Sequence, residues 1–255
     1  MQSKSKGDKL KEAAEILYRS EYLVAFTGAG ISAESGVPTY RGPDGLWNKY
    51  DPEKTATLSG FKDDPDKFWN FIRDMAVGAD ISPNPAHELL AEWEKNGMLK
   101  TIITQNIDLL HQQAGSQSVL ELHGSLQRAE CHSCSREYSW QWIADKLEEN
   151  KIPACEDCGS KKIKPDVVFF GEMLPQDTLR RAEQEAENCD VMLVIGSSLA
   201  VHPAAALPAH ARRSGAELIY INADRGERPG LFDIILEGKA GEVLPELQKE
   251  IQDLN

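Results

Sequence analysis

Short apolar runs alternate with amphipathic stretches along most of the chain. Residues 8–20 (DKLKEAAEILYRS) set Leu10, Ala13, Ala14 and Leu17 at helical spacing, which predicts an amphipathic helix. Six apolar runs follow: Tyr22–Thr27, Leu99–Thr104, Val119–Leu122, Val167–Phe170, Val191–Gly196 and Leu218–Asn222. Strands buried on both faces need continuous rather than alternating hydrophobicity, so these runs predict a parallel sheet. Helical patterns over 176–188, 203–213 and 240–253 supply layers to cover it. Two stretches break the rhythm. Residues 36–98 begin rich in Pro and Gly and then carry Trp47, Trp69 and Trp93, reading as a loop and a helical insert. Residues 129–163 are polar and cysteine-bearing, reading as a small inserted ribbon. The expected division is one large α/β unit over 1–35, 99–128 and 164–255, interrupted by those two modules.

Composition changes this picture little. Hydrophobic residues make up 41% of the 255 and charged residues 27%, ordinary globular usage that excludes fibrous or wholly disordered chains. No apolar run nears the ~18 residues of a membrane span, and the start MQSKSKGDKLK lacks a secretory apolar region. A cytoplasmic protein without a membrane partner is the expectation. Charge matters more: 28 basic against 41 acidic residues leave a net −13. That field repels phosphate backbones, arguing against direct nucleic-acid binding and in favour of basic partners.

Four of the five cysteines fall as Cys131-x-x-Cys134 and Cys155-x-x-Cys158, a double knuckle spaced for one zinc ion. Two disulfides are the competing reading, and a reducing compartment disfavours them. Four thiolates fill a tetrahedron, so this zinc is expected to be structural and not catalytic. His132, inside the first knuckle, is expected to be a bystander, and Cys189 a buried inert thiol.

The candidate chemistry lies at strand ends. Gly28-x-Gly30-x-x-Ala33 follows the first apolar run and fits the dinucleotide turn G-x-G-x-x-G/A, which points to a Rossmann-like fold. After it, Glu34-Ser35-Gly36-Val37-Pro38-Thr39-Tyr40-Arg41 and onward to Trp47 read as a loop covering a ligand, unlike an ordinary dehydrogenase. Thr104-Gln105-Asn106-Ile107-Asp108 ends the second run, where ligands of open α/β sheets bind, though Asn106 or Asp108 could equally cap a helix. Glu121-Leu122-His123-Gly124-Ser125 places a histidine at another strand end, a position suited to holding a proton near neutral pH.

Together, GAGISAESGVPTYRGPDGLW (28–47), TQNID (104–108), LHGS (122–125), the paired knuckles, KPDVVFFGE (164–172), GSSLAVHP (196–203) and GKAGEVLPEL (238–247) resemble the sirtuins, NAD-dependent protein lysine deacylases. The blocks run in order from about residue 10 to 250, and the SAESG loop is similar to the prokaryotic-type branch. The resemblance implies a Rossmann-like parallel sheet domain with a small zinc-ribbon and helical module. It implies that Gly28, Ala29 and Gly30 hold the pyrophosphate and that Glu34, Thr39, Tyr40, Arg41 and Trp47 belong to the cofactor loop. Gln105, Asn106, Ile107 and Asp108 would line the ribose and nicotinamide pocket, Asp108 facing the carboxamide. Gly196, Ser197, Ser198, Asn222, Ala223, Asp224 and Ala240 would wrap the adenosine. His123 is the implied catalytic base, with Asn106 beside it. Val168, Phe169, Phe170, Gly171 and Glu172, with Leu199 and Val201, would form the cleft where a substrate peptide pairs as an extra strand. The chain departs from the usual family pattern at Thr39-Tyr40 (Asp-Phe) and at Ser197 (Thr), both mild changes.

The activity so implied spends NAD. The acyl-amide oxygen attacks ribose C1′ as nicotinamide leaves, and His123 takes a ribose hydroxyl proton. The products are nicotinamide, O-acetyl-ADP-ribose and free lysine. The alternatives are a deacylase for longer or acidic acyl groups, an ADP-ribosyl transfer side activity, an NAD-dependent oxidoreductase, or a non-catalytic zinc module. Members that remove acidic acyl groups carry Tyr-x-x-Arg on a helix. Here Trp69 and Ile72 stand at those positions with Arg73 one place later, so acetyl and longer fatty acyl chains are expected over succinyl.

Overall fold

The computed structural model describes residues 4–40, 45–76, 81–224, 226 and 229–254. Among the described residues nine strands form two sheets: β1 (Leu23–Thr27), β2 (Leu99–Thr104), β3 (Val119–Glu121), β4 (Gly124–Cys131), β5 (Glu137–Ser139), β6 (Ile163–Val167), β7 (Val191–Ile195), β8 (Glu217–Asn222) and β9 (Ile234–Glu237). The larger sheet has the order β3-β2-β1-β7-β8-β9, and every pairing in it is parallel. This is the doubly wound Rossmann order, whose chain reverses direction between β1 and β7.

Strand pleating distributes the apolar runs to two faces. Leu23 and Ala25 of β1, with Leu193 and Ile195 of β7, point into one layer. There they meet Leu10 and Leu17 of the helix Lys6–Arg19, Leu90 and Trp93 of Pro85–Lys95, and Leu244 and Leu247 of Ala240–Gln252. Val24, Phe26, Met192 and Val194 point the other way, onto Ala182 and Ala186 of Gln176–Asn188 and Leu207 and Ala211 of Leu207–Arg213. The first helix starts at a capping box: Asp8 N–H donates to Ser5 Oγ, and Asp8 Oδ2 accepts from Ser5 N–H.

The smaller sheet is antiparallel, β5-β4-β6. It packs against the helices Leu58–Asp63 and Pro65–Ala76, and one core joins Phe61, Phe68 and Ile72 to Leu126, Tyr138, Ile143 and Ile163.

One expectation is corrected. The run Val167–Phe170 does not form a strand of the parallel sheet. Val167 ends β6 of the small sheet, and Val168–Phe170 leaves it to cross toward the cleft. The sixth parallel strand is instead β9, a four-residue element absent from the apolar runs above. The helix Pro85–Lys95 packs on the large sheet through Leu90 and Trp93. Among the described residues no helix is long and apolar enough to cross a membrane.

Candidate active site

A cleft of roughly 690 Å³ lies between the two layers, at the carboxyl ends of β1, β2, β7 and β8. Its floor is made where two turns touch. Gly28 N–H donates to Ile195 O at 3.0 Å, and Gly30 N–H donates to Gly196 O at 2.8 Å. A Cβ on Gly30 would sit 2.6 Å from Gly196 Cα, and Gly196 has φ of +62°, so both positions require glycine. The turn chemistry read from the sequence therefore has a concrete cause: two backbones in contact beneath a ligand-sized opening.

At the end of β2, Gln105 N–H donates to Thr27 O at 3.0 Å and extends the strand pairing by one residue. Its side-chain amide donates to Ser197 Oγ at 2.7 Å, tying β2 to the β7 turn. Asn106 is buried; its amide donates to Gly28 O at 3.3 Å and to Ser32 Oγ at 3.1 Å. Asp108 does not line the cleft. One carboxylate oxygen accepts from Ser32 Oγ at 2.7 Å and the other from the N–H of Leu110, the first residue of the next short helix, at 3.0 Å. Burial raises its pKa above the usual aspartate value, against those two hydrogen bonds.

His123 lines the cleft next to the start of β4. Its Nδ1 lies 2.9 Å from Gln105 O. A carbonyl only accepts, so Nδ1 carries the proton and Nε2 keeps its lone pair. Burial depresses the pKa below the ordinary histidine value, partly offset by the Gln105 bond, so the ring is neutral near pH 7. His111 Nε2 lies 2.9 Å from Thr27 Oγ1, and the rings of His87 and His111 meet edge to face, centres 4.9 Å apart. Desolvation pushes these two down to about 4 and about 3.

Gly28, Ala29, Gly30, Glu34, Thr39, Tyr40, Trp47, Gln105, Asn106, Ile107, Gly196, Ser197, Ser198, Asn222, Ala223, Asp224 and Ala240 all line this one cleft, as do Val168–Glu172 and Val201. Leu199 is buried behind it, and Arg41 lies outside the described residues. The structure adds a chamber that motif reading missed. Phe68, Phe71 and Ile72 form one helical stripe on the cleft wall, facing Val167, Phe169 and Leu174. Their i, i+3, i+4 spacing was the available signal. Trp69 is fully buried and turned away from the cleft, and Arg73 is not among its lining residues. Trp47 stacks on Tyr40 and on Phe71 at 5.3 and 5.4 Å, closing the chamber from the loop side.

The four cysteines converge as their spacing predicts. Their sulfurs lie within 4.8 Å of one another, with Cys131–Cys158 at 3.7 Å and Cys134–Cys155 at 3.5 Å. Zinc–sulfur bonds of ~2.3 Å put tetrahedral sulfurs about 3.8 Å apart, so one zinc fits with no coordination position left open. Each knuckle closes on a left-handed residue, Ser135 or Gly159, whose N–H donates to Cys131 O or Cys155 O at 2.8 Å. His132 turns edge-on to Phe61, away from the sulfurs. Cys189 is buried and donates to Ala186 O, its pKa pushed up to about 12, as an inert thiol should be.

Known proteins share this arrangement. The NAD-dependent protein deacylase 2 of Archaeoglobus fulgidus is 51% identical over 247 residues, spanning 97% of this chain and 98% of that protein. A solved Sir2 enzyme superposes with a TM-score of 0.92 at 52% identity, covering 97% of this chain and 99% of the other. A second, solved with a myristoylated histone peptide, gives 0.86 at 45% identity, covering 97% and 98%. Residues 28–203 match the Sir2 family, which is more than half of the chain. The chain belongs to the Sir2 family, the sirtuins.

Proposed function

We propose that this protein removes acyl groups, acetyl first among them, from lysine side chains of proteins, consuming NAD. When bound, NAD supplies an electrophilic ribose carbon with nicotinamide as leaving group. The chain's own residues do the rest. Gly28 and Gly30 spend their N–H groups on the β7 turn, so their contribution to the pyrophosphate is close backbone approach. Asn222, Ala223, Asp224 and Ala240 take the adenosine side, with Ser197 and Ser198. Asn106 is held rigid by Gly28 and Ser32 toward the ribose. Asp108 supports this wall from behind through Ser32. His123 accepts a ribose hydroxyl proton at Nε2 while Gln105 O keeps the ring in place. One observation carries the reading: a neutral, oriented His123 sits where the two-glycine floor meets an apolar chamber.

The peptide lies along Val168–Glu172 and Leu199–Val201, and the net charge of −13 favours basic sequences around the lysine. The chain acts in the cytoplasm. Phe68, Phe71 and Ile72 present no donor to an acid, so acetyl and longer apolar acyl groups fit and succinyl does not. The relative solved with a myristoylated peptide supports the longer chains. Acetyl and succinyl versions of one lysine peptide, incubated with NAD, test the reading. Nicotinamide and deacylated peptide should appear in equal amounts, with kcat/KM on acetyl higher by at least ~30-fold. NADH formation would contradict the activity, and preference for succinyl would contradict the chamber.

A further inference from the structure

Lys164 and Glu172 flank the loop that carries the proposed peptide edge, and the chemistry above uses neither side chain. Their side chains are only 12% and 26% exposed, and Lys164 Nζ lies 3.1 Å from Glu172 Oε2. Neither is a solvated surface charge. Lys164 Nζ also donates to Val167 O at 2.8 Å and sits 4.4 Å above the Phe169 ring. The same Glu172 oxygen accepts from Phe169 N–H at 2.8 Å. Each remaining N–H of the segment that is tied down ends on a different element: Val168 to His123 O, Phe170 to Ala56 O, both at 2.8 Å. Phe169 in turn packs on Phe68, ring centres 5.0 Å apart, and so forms a wall of the acyl chamber.

We infer that Lys164 and Glu172 are positioning residues for the substrate: their ion pair clasps the loop Val168–Gly171 so that its backbone and the Phe169 wall are set before a peptide arrives. This rests on the deacylase reading above. A clasp of this kind lowers the ordering cost of binding and leaves the NAD side untouched. It should therefore appear in peptide affinity and not in cofactor affinity.

The test compares the intact chain with Lys164→Met, Glu172→Gln and the double variant. Zinc content is checked in each, because Lys164 stands next to Ile163, which pairs with Cys131. Either single variant should raise the peptide KM about tenfold while KM for NAD and kcat stay within about threefold. The double variant should add little, since the pair acts as a unit. Lys164→Arg, which retains the charge, should recover most of the loss. Anisotropy of a labelled acetyl-lysine peptide and amide exchange at Phe169 and Phe170 read the same effect without turnover. The peptide should bind more weakly and those amides exchange faster. An unchanged peptide KM and unchanged exchange in an enzyme that deacylates normally would overturn the clasp and leave the activity standing. A parent chain that releases no nicotinamide would overturn the activity, and the exchange data would still decide the clasp.

Discussion

The two layers bordering the cleft are stabilised in different ways. The parallel sheet buries aliphatic side chains on both faces and is covered by long helices, so its four inner strands have partners on all sides. The small sheet has three strands, one of them only Glu137–Ser139, and its core is a cluster of aromatic rings closed by sulfur atoms. A module near the ~40-residue size limit cannot bury enough surface to fold on hydrophobicity alone and needs a staple. The lesson is a division of labour. The self-sufficient layer can hold cleft groups rigidly, while the stapled layer depends on its metal.

Zinc removal should break that contrast most visibly. Substituting Cys131 by Ser, or chelating the metal, should abolish acyl-peptide turnover and unfold the small layer, because structural zinc contributes ~10–16 kcal/mol of binding energy to folding. Circular dichroism and limited proteolysis would then find the parallel-sheet layer still folded. Loss of both layers together would show that they form one cooperative unit.

A smaller effect sharpens the other side of the comparison. His87 and His111 are buried neutral in the large layer, with pKa values near 4 and 3. The unfolded chain binds these protons from about pH 6.5 downward, and the folded one does not until far lower. Stability is therefore full above pH 6.5 and falls as the solution is acidified toward pH 4. Between pH 7.5 and 5.5 the pair should cost about 3 kcal/mol, read by urea denaturation with zinc content checked at both values. Equal stability at the two pH values would mean the rings are not buried neutral.

Much of this was legible in the residues, for physical reasons that can be named. The knuckle spacing specifies a tetrahedron almost by itself, and Gly28 and Gly30 after an apolar run mark a tight turn under a ligand. The helix over 176–188 appears with the predicted bounds. Other features depend on contacts distant in sequence. Val167–Phe170 has the composition of a buried strand, yet only Val167 sits in a sheet, and Phe169 is buried by Phe61, Phe68 and Lys164. That Asp108 accepts from Ser32, far upstream, is a contact no motif records. The stripe Phe68, Phe71 and Ile72 was hidden because Trp69 is the more conspicuous residue, and only packing shows which face of that helix is inward.

The central claim is that His123, held through Nδ1 by Gln105 O, is the base in an NAD-consuming deacylation. Its most direct test is the pH dependence of kcat/KM for an acetyl-lysine peptide, set beside the same measurement on His123→Ala. The parent enzyme should lose activity as the pH falls through a pKa below the ordinary histidine value, because protonation removes the lone pair on Nε2. The variant should keep its zinc and its fold but fall by ~10³-fold or more, with no such inflection. Near-normal turnover by His123→Ala, or the same acid limb in both enzymes, would contradict the assignment.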